Sequence, residues 1–167
     1  NAMMELPTVD YVDAKSYMGT WYEIAKLPNS FQKNCAQTKA EYSLRHDGKI
    51  TVVNTCLNTK KSVFQQAKGI AKIKDKETNA KLGVSFIPLL KYVGPYNGKY
   101  WILDLDPNYQ YVLIGEPERK FLWILSRTPE LDSKITKELL LKSKKLGFEI
   151  SKVEFSKTWD LTLNELL

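Results

Sequence analysis

Apolar and polar residues alternate in short runs along most of the chain, from Gly19 to Arg127. Lys39–Leu44 shows the pattern clearly, because its polar and apolar side chains take turns as they do on a half-buried strand. The runs predict eight strands, at Gly19–Leu27, Lys39–Leu44, Ile50–Leu57, Val63–Lys74, Leu82–Phe86, Tyr100–Leu105, Tyr109–Gly115 and Phe121–Arg127. Eight strands in sequential antiparallel order close into an up-and-down barrel with room inside for one small ligand.

A different pattern follows the last of these strands. Ile135 and Leu139 lie on one face of a predicted helix. Asp132 can cap its start, and Gly147 is a natural stop just after its end. A ninth strand over Glu149–Phe155 is predicted next, paired with the first strand. The fold class is therefore all-β: an eight-stranded barrel, one C-terminal helix packed outside it and a short ninth strand.

The two cysteines, Cys35 and Cys56, flank a predicted hairpin. His46–Lys49 contains Asp-Gly and predicts a two-residue turn in which the first and last residues pair. Counting along the ladder then places Cys56 opposite Lys39, four residues after Cys35. A disulfide between Cys35 and Cys56 is therefore predicted, with two unpaired thiols as the alternative. Because disulfides persist in oxidising compartments, the bridge favours an exported protein of the periplasm or outer membrane.

Composition and charge narrow the classes of function. The 167 residues are enough for one domain with a real core. The net charge is +6, and the lysines are spread along the chain, which favours a solvated surface. Attraction to anionic lipid headgroups is the alternative interpretation of these lysines. Nucleic-acid binding is not expected, because no basic stripe accompanies a recognised binding motif.

Candidate chemistry is sparse. The single histidine, His46, falls on the predicted turn and is expected to be exposed. Two cysteines and one histidine cannot form a four-ligand Cys/His zinc site. An exposed His46 is also a poor haem ligand and a poor catalytic base. Motifs for Ser-His-Asp, P-loop and dinucleotide chemistry are missing from the sequence. No cofactor, metal or catalytic residue is therefore expected.

Three segments carry a resemblance to a known family. Gly19–Ile24 contains a Gly-x-Trp on the predicted first strand and continues into Ala25–Phe31. Tyr100–Asp106, followed by Tyr109, is the second segment, and Phe121–Pro129 is the third. Together they resemble the lipocalin family, in particular its bacterial and apolipoprotein D branch. Three segments in order, with the matching strand count and helix, are far more specific than a Gly-x-Trp alone.

The resemblance implies roles for individual residues. Gly19, Trp21 and Arg127 are expected to be structural, with the Arg127 guanidinium covering Trp21 at the narrow end of the barrel. Trp123 shares a strand face with Arg127 and is expected to line the ligand pocket, with an ordinary core position as the alternative. Tyrosine hydroxyls could hold a carboxylate or phosphate head while rings hold the chain. Further pocket candidates are Tyr42, Phe86, Tyr100 and Ile102.

The function implied by the resemblance is binding, storage or transport of a fatty acid or lysophospholipid, at the bacterial cell envelope. A lipocalin-fold enzyme and a protein-interaction module with a filled barrel are the alternatives. Bacterial members of this branch are often outer-membrane lipoproteins, so association with a membrane surface is also expected. The pattern does not distinguish a monomer from a homodimer.

The boundaries of the domain are also predicted from the sequence. Asn1–Met3 is interpreted as a cloning-tag remnant that opens a lead-in segment of residues 1–16. Residues 17–167 are expected to form the single domain, with the loop Pro88–Asn97 at the mouth of the barrel. The targeting segment of an exported protein is expected to lie outside this sequence.

Overall fold

Antiparallel strands are the main element of the described part of the chain. A computed structural model describes residues 4–86 and 97–156. Within these ranges the strands are β1 Gly19–Lys26, β2 Cys35–Leu44, β3 Ile50–Asn58, β4 Val63–Ile73, β5 Lys81–Phe86, β6 Gly98–Leu105, β7 Tyr111–Gly115, β8 Leu122–Ser126 and β9 Glu154–Phe155. The first eight confirm the strands predicted from the alternation, with shifts at their ends.

Strand β1 closes the barrel because it bonds to neighbours on both of its edges. Its Tyr22–Lys26 part pairs with β8, and its Gly19–Tyr22 part pairs with β2. Strands β1–β8 therefore form a closed antiparallel barrel in sequential order, as predicted. Below, the end of the barrel at Gly19 is called the base, and the end at which β1 leads towards β2 is called the rim.

The β2–β3 hairpin has a three-residue loop, so the prediction of a two-residue turn is wrong. Leu44 pairs with Ile50, and the N–H of Arg45 donates to the carbonyl of Lys49 at 2.8 Å. Gly48 has a φ of +82°, a left-handed conformation that glycine adopts without strain and that completes a loop of this length. The ladder is consequently shifted by one residue from the count made on the sequence.

The disulfide between Cys35 and Cys56 forms despite this shift. Thr38, and not Lys39, lies opposite Cys56. An irregularity in the pairing between Cys35 and Thr38 brings the two cysteines together, with their Cα atoms 5.5 Å apart. The predicted bridge is confirmed. Strand β2 begins at Cys35, four residues before the predicted start at Lys39, and a 3-10 turn occupies Ser30–Gln32.

The segment before β1 packs against the barrel. Leu6 and Val12 are buried in two different clusters, and the N–H of Val9 donates to a β6 carbonyl at 3.0 Å. A short helix, α1 at Ala14–Tyr17, then leads into β1. The predicted boundary between residues 16 and 17 falls inside this helix. Residues 1–3 lie outside the described part of the chain.

A second helix, α2 at Ser133–Lys145, packs against the outside of the barrel, as predicted. The Asp132 side chain caps it by accepting from the N–H of Lys134 at 2.7 Å. Its residue Leu139 is buried in an outer cluster formed by outward-facing side chains of β1, β6, β7 and β8. Phe148, which follows the helix, is buried in the same cluster, so the contact continues past the helix end.

The ninth strand is shorter than predicted but has the predicted partner. Ile150–Lys152 forms a 3-10 turn, so the strand covers only Glu154–Phe155. It pairs with Ala25 and Lys26 of β1. The pairing of β1 with β2 ends at Tyr22, so this edge of β1 is open to β9. Glu154 faces Lys26, the last residue of β1, so β9 begins at Glu154 and not earlier. Of the predicted mouth loop Pro88–Asn97, only Asn97 is among the described residues.

Candidate functional site

A cavity of about 510 Å³ lies inside the barrel and reaches the rim. This volume is within the range of small-molecule sites, which are mostly apolar with a few placed polar groups. The walls are inward-facing apolar side chains from six of the strands, namely Ala40, Ile50, Val52, Ala71, Leu82, Val84, Ile114 and Leu125. A filled barrel, one of the alternatives considered from the sequence, does not fit a cavity of this size.

The base of the barrel is closed by Trp21, which is 0% exposed and is not part of the cavity lining. The guanidinium of Arg127 lies 3.8 Å from the centre of the Trp21 ring, as the resemblance implied. Its nitrogens donate to three backbone carbonyls at 2.8, 3.0 and 3.0 Å. Gly19 has a φ of +103°, and a Cβ there would lie 3.3 Å from an Arg127 nitrogen. These three residues therefore form one packed unit.

Three tyrosines form the floor of the cavity above Trp21. The hydroxyl of Tyr100 lies 2.5 Å from that of Tyr17 and 3.0 Å from that of Tyr42. Burial raises the pKa of Tyr17 and Tyr100 well above the usual 10.0, and that of Tyr42 to about 12. Two hydrogen bonds among three hydroxyls use two of the three protons, so one donor remains for a ligand.

The sequence-predicted pocket residues are mostly brought together. Trp123, Tyr42, Phe86 and Tyr100 all line the cavity. Trp123 is half-buried on the rim side, with the ring of Phe121 stacked on it at 5.6 Å between centroids. Ile102 is not in the lining, because it is buried in the packed cluster towards the base, 1% exposed.

The rim side of the cavity is organised by Gln32, which is saturated with hydrogen bonds. Its Oε1 accepts from Trp123 Nε1 at 2.9 Å and from Asn29 Nδ2 at 2.8 Å. Its Nε2 donates to Glu23 Oε1 at 2.6 Å and, more weakly, to Thr38 Oγ1 at 3.5 Å. The side-chain amide of Gln32 therefore joins the 3-10 turn to β1, β2 and β8. It does so near the rim, where the pairing of β1 with β2 has ended.

Glu23 brings a buried carboxyl to this region. It is 3% exposed and lines the cavity, and its second oxygen accepts from Ser156 Oγ at 3.2 Å. Burial raises the pKa of Glu23 above its usual value, while Lys26 and Gln32 partly oppose that rise. The Lys26 ammonium lies 3.9 Å from the same carboxyl oxygen. The rim is thus polar and charged, whereas the walls below it are apolar.

Tyr17, Glu23 and Gln32 also line the cavity, although none of them was predicted to do so. Glu23 follows Trp21 by two positions, so the period of a strand places both on the inner face, and this signal could have found it. Tyr17 lies in a short helix before β1, and Gln32 lies in a 3-10 turn after it. The two-residue period of a strand does not apply there, so it does not indicate where either side chain points.

Within residues 4–86 and 97–156, no group of three or more His, Cys, Asp or Glu side chains is placed to hold a metal ion. In the same ranges, neither α1 nor α2 is long and apolar enough to span a membrane.

Comparisons with known proteins agree with this architecture. Residues 12–158 match the family described as a lipocalin-like domain. The outer membrane lipoprotein Blc of Escherichia coli K12 is 40% identical over 144 residues, which cover 86% of this chain and 78% of the relative. Temperature-induced lipocalin-1 of Arabidopsis thaliana is 41% identical over 151 residues, covering 89% and 81% of the two chains. Mouse apolipoprotein D is 40% identical over 132 residues, covering 75% and 66%.

Solved structures show the same fold at lower identity. Insecticyanin from the tobacco hornworm Manduca sexta matches with a TM-score of 0.76 at 22% identity, over 96% of this chain and 88% of that one. The amine-binding protein of Rhodnius prolixus, solved as a tryptamine complex, matches with a TM-score of 0.61 at 19% identity, over 100% and 95% of the two chains.

Proposed function

The chain belongs to the lipocalin family, and we propose that its cavity binds one fatty acid or lysophospholipid and carries it without chemical change. Lipocalins bind small hydrophobic ligands, and the proposal extends this property to lipids with a single acyl chain. The supporting observation is the cavity of about 510 Å³ with apolar walls. A ligand with a long apolar chain and one polar head matches this distribution of surface.

The polar groups of the cavity lie mainly near its two ends. The tyrosine hydroxyls at the floor offer one donor, and the rim offers Glu23 and Thr38. An acyl chain needs no hydrogen bonds and gains from contact with the walls between these ends. Trp123, Tyr42, Phe86 and Tyr100 are the proposed ligand contacts, whereas Ile102 packs in the inner cluster with Trp21, outside the cavity lining.

We also propose that the protein acts at the bacterial envelope, in association with a membrane surface. The relative from Escherichia coli is named an outer membrane lipoprotein, and a disulfide is typical of oxidising compartments. Family membership alone does not support this location, because the plant relative is equally similar. The relatives are named lipocalins and lipoproteins rather than enzymes, which supports binding over catalysis.

The experiment that tests the proposed function is a titration with two probes, oleate and oleoyl lysophosphatidate. We expect dissociation constants of about micromolar, corresponding to roughly −8 kcal/mol. Trp123→Ala removes a ring from the cavity lining and is expected to weaken binding about tenfold, or ~1.4 kcal/mol. Calorimetry measures both constants directly.

Trp101→Ala is the matched control, because this half-buried tryptophan packs in the outer cluster and not in the cavity. Its binding constants are expected to stay within about twofold of the parent, since the outer cluster does not touch the ligand. A Trp123→Ala protein that binds both probes as tightly as the parent would contradict the proposed role of Trp123. A parent that binds neither probe would contradict the proposed function.

A further inference from the structure

A second, smaller cavity of about 320 Å³ lies beside the first, at the rim. Asn29 and Gln32 line both cavities, so the two spaces meet at the 3-10 turn. About half of the surface that lines the smaller cavity is polar, and its residues include Lys26, Lys33 and Asn34. We call this space the rim pocket. It is more polar than the main cavity, whose walls are almost wholly apolar.

Lys26 is the unusual member of the rim pocket, because it is a lysine that is only 6% exposed. Lysine is seldom this buried unless its charge is paired. The contacts of its ammonium with the described residues are both long: 3.4 Å to the carbonyl of Cys35 and 3.9 Å to Glu23 Oε2. An ammonium carries three donors, so most of its hydrogen-bonding capacity remains for a ligand or water.

Glu23 does not account for Lys26 by itself. Its carboxyl already accepts from Gln32 at 2.6 Å and from Ser156 at 3.2 Å, both shorter than its distance to the ammonium. Lys26 is therefore a buried cation without a close anionic partner among the described residues. The carboxyl nearest to it, that of Glu23, lies closer to Gln32 and Ser156 than to the ammonium. A second anion in the rim pocket would satisfy it better than Glu23 does.

A second cation stands at the mouth of the rim pocket. Lys33 is exposed, and it forms no hydrogen bond or ion pair with any residue in the described ranges. The adjoining Asn34 is held in place, since its carbonyl accepts from the N–H and the hydroxyl of Thr59 at 2.9 and 3.2 Å. Glu154 is the acidic side chain of the lining, and it is exposed, so solvent screens its repulsion of an anion.

We propose that the rim pocket binds the phosphate head of a lysophospholipid whose acyl chain occupies the main cavity, with Lys26 as the buried contact and Lys33 as the outer one. This inference rests on the proposed function and selects between its two ligand classes. A phosphate offers several acceptor oxygens and can meet both ammonium groups at once. A carboxylate has two oxygens and would leave most of a 320 Å³ pocket to water.

The test compares three probes that share one acyl chain: oleoyl lysophosphatidate, oleate and the uncharged monoolein. Lys26→Met is expected to weaken lysophosphatidate binding at least tenfold, and Lys33→Met about threefold. Both variants should leave monoolein binding within twofold of the parent, because the chain site is untouched. Lys120→Met is the matched control at the same end of the barrel, where Lys120 pairs with Glu118. It should change none of the three constants.

Each other outcome overturns a specific statement. Equal losses for all three probes in Lys26→Met would mean that Lys26 only supports the fold. Lys33→Met guards against that ambiguity, because its exposed side chain is not needed for folding. If oleate binding falls as much as lysophosphatidate binding, the pocket does not distinguish a carboxylate from a phosphate, and the selection of a phosphate head is wrong. A parent that binds none of the probes contradicts the proposed function itself, before the rim pocket is in question.

Discussion

The base and the rim of this barrel are built from different kinds of contact. At the base, Arg127 donates to three backbone carbonyls and covers Trp21, whose own Nε1 donates to the carbonyl of Tyr17 at 2.8 Å. At the rim, Gln32 joins Glu23 and Trp123 through side-chain atoms only. These carbonyls belong to the backbone of α1, of β1 and of the turn before β7, and a backbone position is set by the fold, whereas side-chain partners can be exchanged. The base is therefore suited to hold the fold and the rim to accept a ligand.

The largest expected effect is at the base. Trp21→Ala deletes a ring that is 0% exposed and removes the surface on which Arg127 stacks. We expect the free energy of unfolding to fall by about 3–5 kcal/mol, the usual cost of truncating a large buried aromatic residue. Urea denaturation followed by circular dichroism measures this change.

Ligand preference is the control for this prediction. Trp21 lies outside the cavity lining, so the folded fraction of Trp21→Ala should keep the parent's order of affinities for oleate and oleoyl lysophosphatidate. A changed order of affinities with unchanged stability would show that the base takes part in ligand selection. The distinction between the two ends would then be wrong.

The next effect is at the rim, where the Cys35–Cys56 bridge spans 21 positions of the chain. Replacing both cysteines with alanine is expected to lower the free energy of unfolding by about 3 kcal/mol, because the unfolded chain regains the freedom of that loop. The double variant is compared with the oxidised parent by urea denaturation. Reducing the parent with a thiol should give the same loss, and an unchanged midpoint in both experiments would contradict the prediction.

The smallest expected effect on stability comes from the tyrosine floor, and it is seen only at alkaline pH. Burial raises the pKa of Tyr42 to about 12, and that of Tyr17 and Tyr100 also lies above 10.0. The folded state therefore holds these phenol protons more tightly than the unfolded state does. Their contribution to stability is complete below pH 10 and is lost as the pH rises from 10 towards 12.

A spectroscopic titration checks this expectation. Tyrosinate absorbance should show a late fraction that ionises only above the usual tyrosine range, and Tyr42→Phe should reduce that fraction. If all tyrosines of the folded protein titrate together near pH 10, the buried and neutral floor is contradicted.

The contacts of the base could be predicted from the sequence, and those of the rim largely could not. The stacking of Arg127 on Trp21 was implied by the resemblance of the three sequence segments, and the structure contains this contact. The period of a strand put Trp123 on the same face as Arg127, and Trp123 lines the cavity. Gln32 lies in a 3-10 turn, where no period relates a position to a direction. Of its four partners, Trp123 alone is distant in sequence, but the direction in which the Gln32 amide points, and so the choice of all four, becomes visible only in three dimensions.

The hairpin error has a related cause. An Asp-Gly pair is compatible with both a two-residue turn and a three-residue loop that ends in a left-handed glycine. The choice changes the register by one residue, which moved the expected partner of Cys56 from Lys39 to Thr38. The disulfide was still predicted correctly, because an irregularity in β2 absorbs the difference.

The central claim is that one single-chain lipid occupies the barrel, and native mass spectrometry tests it most directly. The protein is mixed with an excess of oleoyl lysophosphatidate, and the mass of the intact complex is measured. We expect one bound lipid per chain in the parent and in Lys72→Phe, whose new ring faces outwards. Ala71→Phe places the same ring in the cavity wall and is expected to lose the bound lipid. Bound lipid in Ala71→Phe at the parental level, or none in the parent, would contradict the account.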